Sequence, residues 1–223
     1  MITAVVVGNG RPDCLARTVK SLRDYLPRLD AYVMVDDSGD PDHHQFIRDR
    51  YTDFHLVLHP ENRGMAAAVQ AAWNTALAIG SDYIWHNEDD MELITEIPIT
   101  RACQYLSERP DLAQLMFRRQ PLNPEEQREG CVLAATCNHA TDWSIDHPDY
   151  TTQNWIFSLN PCVIPRRVLE LGWPSGPLGV GNESGMTKKL LAAGCTFGAW
   201  GHPLDGQQHV EHIGAVRGAK WQL

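Results

Sequence analysis

The first 90 residues alternate between short apolar runs and amphipathic segments, and this alternation limits the chain to few folds. The run Ile2–Val7 is apolar on both faces, as expected of a strand buried within a parallel sheet. The segment Gly64–Ile79 repeats large apolar residues every fourth position among alanines, which predicts a helix. The predicted strands are 2–7, 31–35, 55–58 and 82–85, and the predicted helices between them are 12–26, 44–50 and 64–79. The order β-α-β-α-β-α-β predicts an α/β fold with a mostly parallel sheet and helices on both faces.

The remainder of the chain is less regular, and no linker separates it from the first part. We predict helices at 101–109, 167–171 and 183–193, strands at 112–117, 155–164 and 195–200, and loops or a hairpin at 120–149. Without a linker, the expected organisation is a single domain spanning residues 1–223.

The charge balance restricts the partners of the chain. With 19 Lys and Arg against 28 Asp and Glu, the formal net charge is −9, which disfavours nucleic acid. A bound phosphate compound would then need a divalent cation to offset the repulsion. No apolar stretch is long enough to cross a bilayer, so we expect no integral membrane association. Six scattered cysteines without a CxxC pair, and no secretion signal, predict reduced thiols in a cytoplasmic protein.

Polar residues follow three of the predicted strands, at the edge of the sheet where α/β proteins bind ligands. They are Gly8–Arg11 after the first strand, Asp36–Asp37 after the second and Glu88–Asp90 after the fourth. Three adjacent acids repel one another, and a hard cation such as Mg²⁺ or Mn²⁺ would compensate their charge. The alternative is a solvated acidic turn that binds nothing.

The two acids after the second strand suggest different roles. A carboxylate at that position can accept a hydrogen bond from a nucleobase or a ribose hydroxyl. Alternatively, an aspartate there forms an Asx turn capped by Ser38, and we expect this for one of the pair. Asp37 is the preferred candidate for the base.

Four stretches together resemble the nucleotide-binding half of family-2-type glycosyltransferases of the GT-A fold. They read VVVGNGRPDCLARTVKSL from residue 5, VMVDDSGD from 33, ENRGMAAAVQAAWNTAL from 61 and YIWHNEDDMEL from 83. The resemblance implies a GT-A-type, Rossmann-like, mostly parallel sheet flanked by helices, with a smaller acceptor-side region. It also implies a nucleotide-sugar-binding half at 1–92, and an acceptor-binding and catalytic half at 93–223.

The resemblance implies roles for residues at the strand ends. Asp37 would contact the base, Arg63 would lie near the base or phosphates, and Glu88 and Asp89 would serve ribose and metal. Asp90 would be the principal metal ligand, with glutamate at 88 a departure from the commoner DxD motif. The expected nucleotide-sugar-binding residues are Asn9, Arg11, Asp36, Asp37, Arg63, Glu88 and Asp89.

Two segments of the second half also resemble the family. The stretch Trp173–Glu183 is similar to one that places a catalytic acidic residue at the start of a helix, which makes Glu183 the candidate base. The stretch His209–Gly214 is similar to the one carrying a late histidine, so His212 is expected as a further metal ligand, with His209 behind it. In a helix this spacing would put both histidines on one face. The alternatives are a glutamate that only favours the helix dipole and histidines that only pack.

The function implied is a metal-dependent, inverting glycosyltransferase of the hexosyltransferase type. Its cofactor would be Mn²⁺ or Mg²⁺, its donor a nucleoside-diphosphate sugar, first of all a UDP-sugar, and its acceptor a hydroxyl of a glycan, protein or small molecule. A sugar-nucleotide nucleotidyltransferase is the first alternative, although Pro12 and Asp13 follow where its glycine-rich loop would continue. A non-catalytic GT-A-like binding domain is the second. A dinucleotide-binding GxGxxG loop is excluded because Asp13 stands at its third glycine.

Overall fold

The computed structural model describes residues 1–120, 143–145, 147–174, 182–201 and 207–214. The helices are α1 Pro12–Tyr25, α2 Pro41–Arg50, α3 Met65–Ala78, α4 Ile99–Glu108, α5 Arg166–Leu169 and α6 Asn182–Ala192. The strands are β1 Ile2–Gly8, β2 Ala31–Asp36, β3 His55–Leu58, β4 Tyr83–Glu88, β5 Met91–Leu93, β6 Leu112–Met116, β7 Arg119–Gln120, β8 Tyr150–Gln153, β9 Cys162–Pro165, β10 Thr196–Trp200 and β11 Val210–His212.

An eight-stranded sheet forms the centre, in the order β3-β2-β1-β4-β9-β6-β10-β8. Strands β3, β2, β1 and β4 are parallel neighbours, and β6 and β10 form a second parallel pair. Strands β9 and β8 run antiparallel to their neighbours. The predicted α/β fold with a mostly parallel sheet is therefore confirmed, and strands from both parts of the chain share this sheet.

Helices cover both faces of the sheet. Successive side chains of a strand point to opposite faces, so an apolar strand packs against helices on each side. On one face, Val6 of β1 packs in a core with residues of α1 and α4. On the other, its neighbour Val5 packs with residues of α3, α5 and α6. Ala68 and Ala72 of α3 are fully buried, and their small side chains let this helix lie close to the strands. No described helix has the length and apolar character to span a bilayer.

The helix ends explain where the predictions differ from the structure. Helix α1 begins at Pro12, as predicted, because proline needs no hydrogen-bond partner in the first turn. Helix α2 begins three residues before the predicted start, at Pro41. The Asp40 side chain caps it by accepting hydrogen bonds from the N–H groups of Asp42 and His43.

The predicted strand at 155–164 is wrong over most of its length, and only β9, starting at Cys162, is a strand. Oε1 of Gln153 accepts hydrogen bonds from the N–H groups of Trp155 and Ile156, at 2.7 and 2.9 Å. A side chain thus satisfies backbone groups that a strand neighbour would otherwise bind. Strand β8 was not predicted. The glycine run Gly176–Gly181 and most of the predicted loop 120–149 lie outside the described residues.

A second, three-stranded sheet brings the last described segment to the end of β4. Its order is β5-β11-β7, with β11 antiparallel to β5 and parallel to β7. The segment with His209 and His212 is therefore extended, and the condition for both side chains to share a helix face is not met. In an extended chain, side chains three residues apart point to opposite faces. His209 is buried against the ring of Phe117, with ring centroids 5.3 Å apart, whereas His212 faces the end of β4.

Candidate nucleotide-sugar site

A cleft opens at the carboxyl ends of β1, β2 and β4, beside the beginning of α3. The topology brings residues from these distant positions together because parallel strands end at one edge of the sheet. Of the predicted site residues, Asn9, Arg11, Asp37, Glu88 and Asp89 line the cleft. The other lining residues are Val7, Gly8, Asn62, Met65, Ala68, Val69 and His86.

Arg11 lies between two of the predicted acids at the end of β4. Its Nη2 contacts Oδ1 of Asp89 and its Nε lies 3.3 Å from Oδ2 of the same carboxylate. Its Nη1 donates to Oδ2 of Asp90 at 2.5 Å. The side chains of Asp89 and Asp90 are only 1% and 4% exposed, so this guanidinium is the cation that offsets their buried charge. The sequence-based expectation had assigned that compensation to a divalent ion.

Burial and pairing act in opposite directions on these two acids. Burial raises the pKa of Asp89 to about 6, even though Arg11 and the Asn9 N–H favour the ionised form. Burial also disfavours ionisation of Asp90, but hydrogen bonds from His212 and the charge of Arg11 outweigh it and lower the pKa. Asp90 is therefore held in the ionised form, whereas the burial of Asp89 works against the pairing with Arg11.

The segment after β11 closes over Asp90. Nε2 of His212 lies 3.1 Å from Oδ2 of Asp90, and the N–H of Ile213 donates to the Asp90 carbonyl at 2.9 Å. A Cβ atom at Gly214 would lie 2.1 Å from Oδ2 of Asp90 and 2.8 Å from Nη1 of Arg11. A glycine is required because no side chain fits between this segment and the acid. Sequence reasoning assigned no role to Gly214.

The variant Gly214→Ala should displace the segment 209–214 or separate Arg11 from Asp90. We expect a loss of stability of ~1–3 kcal/mol, as for other overpacked sites, together with weaker nucleotide binding. Thermal unfolding and nucleotide titration would measure both effects. Gly185→Ala is the matched control, since its Cβ would lie 3.3 Å from Pro174 on a helix that favours alanine. Equal stability of the two variants would contradict the close packing at Gly214.

Asp36 holds the turn after β2 and does not line the cleft. Its Oδ1 accepts the N–H of Ser38 at 3.0 Å, which is the Asx turn expected for one acid of the pair. Its Oδ2 accepts the N–H of Gly10 at 3.1 Å. Nε2 of His43 and Nε2 of His44 each lie 3.2 Å from the carboxylate. Asp36 thus joins β1, β2 and α2 beside the cleft.

The ionisation of Asp36 predicts a pH-dependent contribution to stability. Burial raises the pKa of Asp36, but the contact with His43 and the hydrogen bonds from Ser38 and Gly10 outweigh it and hold the pKa well below its usual range. A lowered pKa stabilises the fold above pH ~4, and this contribution is lost as the pH falls through the folded pKa. Asp36→Asn should therefore lower the free energy of unfolding by ~2–3 kcal/mol at pH 7 and by less near pH 3.

Urea unfolding at the two pH values would measure the difference. Asp24→Asn is the control, because Asp24 is an exposed acid paired with Lys20 and should leave stability nearly unchanged at both pH values. A loss in Asp36→Asn that is the same at pH 7 and pH 3 would contradict the assigned ionisation.

Asp37 organises the loop that precedes α3. Its carboxylate accepts hydrogen bonds from the N–H groups of Arg63 at 3.0 Å and Gly64 at 2.7 Å. Nδ1 of His59 lies 2.6 Å from the same group. Arg63 is held by its backbone, and its side chain is exposed and does not line the cleft. Sequence reasoning missed His59, which directly follows β3.

His86 is a second cleft residue that sequence reasoning missed. It lies on β4 two residues before Glu88, so both side chains point to the same face of the sheet. It is fully buried, and within the described part of the chain neither ring nitrogen has a hydrogen-bond partner. Burial lowers the pKa of His86 to about 4, so its imidazole is neutral at pH 7. A histidine directly after the apolar run 83–85 was the available signal.

Glu183 lies in the first turn of α6, as predicted. Its Oε1 accepts hydrogen bonds from the N–H of Leu159 at 2.6 Å and from Oγ of Ser158 at 3.2 Å. The 158–159 segment leads into β9, whose first residue, Cys162, pairs with His86 of β4. Glu183 thus stands at the same edge of the sheet as the cleft, one strand along.

Comparison with models of protein families shows which family the chain belongs to. The sequence model described as glycosyl transferase family 2 matches residues 3–160. The chain belongs to glycosyl transferase family 2. Among curated proteins no sequence matches the chain.

Solved structures of two glycosyltransferases share the GT-A fold of this family-2 chain. One is the mannosyltransferase PcManGT from Pyrobaculum calidifontis in complex with GDP-Man and Mn²⁺, 18% identical, with a TM-score of 0.58. Another is GalNAc-T7 with UDP, GalNAc and Mn²⁺, 14% identical, with a TM-score of 0.61. The matches cover 93% of this chain in both cases, but 58% and 45% of those chains. The family-2 chain thus spans about half the length of these two proteins.

The donor atoms at the end of β4 fit a divalent cation. Oδ1 of Asp90 is buried and has no hydrogen-bond partner among the described residues. The imidazole of His212 lies against the other oxygen of the same carboxylate. One carboxylate and one imidazole suit Mn²⁺. Across the described ranges, no group of three or more His, Cys, Asp and Glu side chains is arranged to hold a metal.

Proposed function

We propose that this family-2 protein is a metal-dependent, inverting glycosyltransferase that moves a sugar from a nucleoside diphosphate to an acceptor hydroxyl. The observation that carries the proposal is the cleft at the ends of β1, β2 and β4. There, Asp37, Glu88 and Asp89 line one cleft in a domain of this family. The location is the one where open α/β sheets bind nucleotides.

In this proposal, different residues of the cleft bind different parts of the donor. Asp37 and the loop it holds at Arg63 receive the base, and Asn9 and Glu88 lie toward the ribose. Asp89, held by Arg11, keeps the end of β4 in place. Asp36 acts indirectly, through the turn that joins β2 to the cleft.

Asp90 and His212 would hold Mn²⁺ or Mg²⁺, with the remaining ligands coming from the diphosphate and water. When bound, the ion acts as a Lewis acid that stabilises the charge on the leaving diphosphate. Support comes from Oδ1 of Asp90, which has no hydrogen-bond partner in the described part of the chain. It also comes from the two related structures, which contain Mn²⁺ with GDP-Man and with UDP.

Glu183 would accept the proton of the attacking hydroxyl. A base on the side of the sugar opposite the leaving group gives direct displacement, which inverts the anomeric carbon. The hydrogen bonds from Leu159 and Ser158 to Oε1 support this role by fixing the carboxylate at the edge of the sheet. In this proposal residues 1–92 bind the donor, and residues 93–223 supply the base and the acceptor surface of one domain.

Donor and acceptor are proposed by chemical class. A UDP-sugar is the first donor to test and a GDP-sugar the second, since the related structures contain one nucleotide each. The acceptor is a hydroxyl of a glycan, a protein or a small molecule. A net charge of −9 disfavours nucleic acid in either role.

A panel of nucleotide sugars with Mn²⁺ or Mg²⁺, assayed for release of nucleoside diphosphate, tests the proposal. We expect metal-dependent release from at least one donor and none in EDTA. Release of pyrophosphate from a nucleoside triphosphate and a sugar phosphate would instead identify a nucleotidyltransferase. Binding of a nucleotide sugar without turnover, with every acceptor class present, would identify a non-catalytic binding domain.

A further inference from the structure

Arg11 commits all three of its guanidinium nitrogens to the acid pair at the end of β4. Nε and Nη2 contact Asp89, and Nη1 donates to Asp90 at 2.5 Å. The arginine side chain is 38% exposed and lines the cleft, while both carboxylates are almost fully buried. The cation thus lies at the boundary between the buried acids and the space proposed for the donor.

The same contacts restrict how a metal reaches Asp90. Among the described residues, Oδ2 of Asp90 contacts Nη1 of Arg11 and Nε2 of His212, while Oδ1 has no hydrogen-bond partner. A cation bound at Oδ1 would share its carboxylate with a positively charged guanidinium. Like charges at this separation repel, and burial strengthens the repulsion because water screens it less. His212 must likewise leave Oδ2 before its nitrogen lone pair can bind a metal.

We propose that Arg11 is the resident counter-cation of the Asp89–Asp90 pair, and that a divalent metal binds Asp90 fully only when Nη1 of Arg11 is released. The two contacts to Asp89 hold the arginine in place while Nη1 moves away from Asp90. The released Nη1 faces the cleft, where an anionic diphosphate is the natural partner for it. Metal and nucleoside diphosphate therefore bind cooperatively. This inference rests on the proposed function for the divalent metal at Asp90 and for the identity of the anion.

Binding of Mn²⁺ to the intact protein tests the inference without any assay of activity. For the wild type, we expect weak binding of Mn²⁺ alone and binding tightened by UDP or GDP, within the 5–150-fold range usual for coupled sites. Free nucleotide also binds Mn²⁺ in solution, and this amount is subtracted before the affinity of the protein for Mn²⁺ is calculated. In Arg11→Gln, Mn²⁺ alone should bind on the order of 10-fold tighter, and the effect of nucleotide should shrink by a similar factor.

Arg17→Gln is the matched control, because it removes the same charge from helix α1, which Arg11 directly precedes. Arg17 is 54% exposed and pairs with Glu92, so the Arg17→Gln protein should bind Mn²⁺ with the affinity of the wild type. Arg11→Lys is the second variant, because lysine keeps the charge but loses the rigid fork that donates to Asp89 and Asp90 together. Its single ammonium can stay on Asp89 and leave Asp90, so Mn²⁺ should bind more tightly than to the wild type and less tightly than to Arg11→Gln. This variant answers the question if Arg11→Gln does not fold.

Unchanged or weaker Mn²⁺ binding in a folded Arg11 variant overturns the inference. Failure of the proposed function looks different: no nucleotide sugar would be cleaved, while Mn²⁺ alone would still bind more tightly to Arg11→Gln. Turnover by the wild type with equal Mn²⁺ affinity in both proteins would leave the function in place and remove the role of Arg11.

Discussion

Replacing Asp90 by asparagine should abolish metal-dependent turnover, with a fall in kcat/KM of ~10³-fold or more, because the ion loses its principal anionic ligand. Asparagine keeps the shape of the side chain but is neutral and presents one oxygen in place of two. The variant also removes the charge that Arg11 and His212 both contact. Mn²⁺ titration and nucleoside diphosphate release measure the two losses separately.

The matched control is Asp53→Asn, another removal of one aspartate charge. Asp53 is 51% exposed and pairs with Arg23 at 2.8 Å, on the surface formed by α1 and the loop before β3. Its turnover and Mn²⁺ affinity should equal those of the wild type. If Asp90→Asn binds Mn²⁺ and donor as the wild type does, Asp90 is not a metal ligand.

Replacing Glu183 by glutamine should leave donor binding intact and reduce transfer by ~10²–10⁴-fold, the range usual for loss of a general base. Glutamine is nearly isosteric, and its carbonyl oxygen can still accept the hydrogen bonds from Leu159 and Ser158. The structure is therefore preserved while proton acceptance is lost. Nucleotide affinity and transfer to the acceptor are measured on the same preparation.

Glu170→Gln is the control for this substitution. Glu170 is 54% exposed, pairs with Arg166, and lies on the loop after α5, so transfer should be unchanged. Substantial transfer by Glu183→Gln, at more than about one tenth of the wild-type rate, would move the base to another residue. A parallel loss of nucleotide affinity would instead indicate that Glu183 supports the donor cleft.

The first half of the fold was predictable because its signals are local. The apolar stripe of α1 and the proline at its start place the helix correctly to within one residue at its end. Runs of β-branched residues place β1 and β2 in the same way. These patterns depend on neighbours in sequence, which a single chain displays directly.

The small sheet could not be predicted, because β5, β7 and β11 have two or three residues each and no period to detect. Its pairing depends on a contact between residues more than 100 positions apart, such as Met91 with His212. The reason for glycine at position 214 is also hidden by separation in sequence, since a Cβ atom there would clash with Oδ2 of Asp90.

The sequence predicted five of the residues that line the cleft, but it did not predict the charge balance at the end of β4. The acids after β4 were expected to need a cation, and the structure supplies one within the chain, Arg11. Its pairing with Asp89 links positions 78 residues apart, and spacing alone does not reveal it. The sequence favours Asp37 over Asp36 for the base but does not reveal the contacts of either acid. They differ in the structure because one holds its own turn and the other holds the loop before α3.

A crystal structure of the protein with Mn²⁺ and a nucleoside diphosphate tests the central claim most directly. We predict an anomalous Mn²⁺ peak bonded to a carboxylate oxygen of Asp90, diphosphate oxygens on the same ion, and the base beside Asp37. A nucleotide bound away from the ends of β1, β2 and β4, or Mn²⁺ bound without contact to Asp90, would contradict the assignment of this cleft as the donor site.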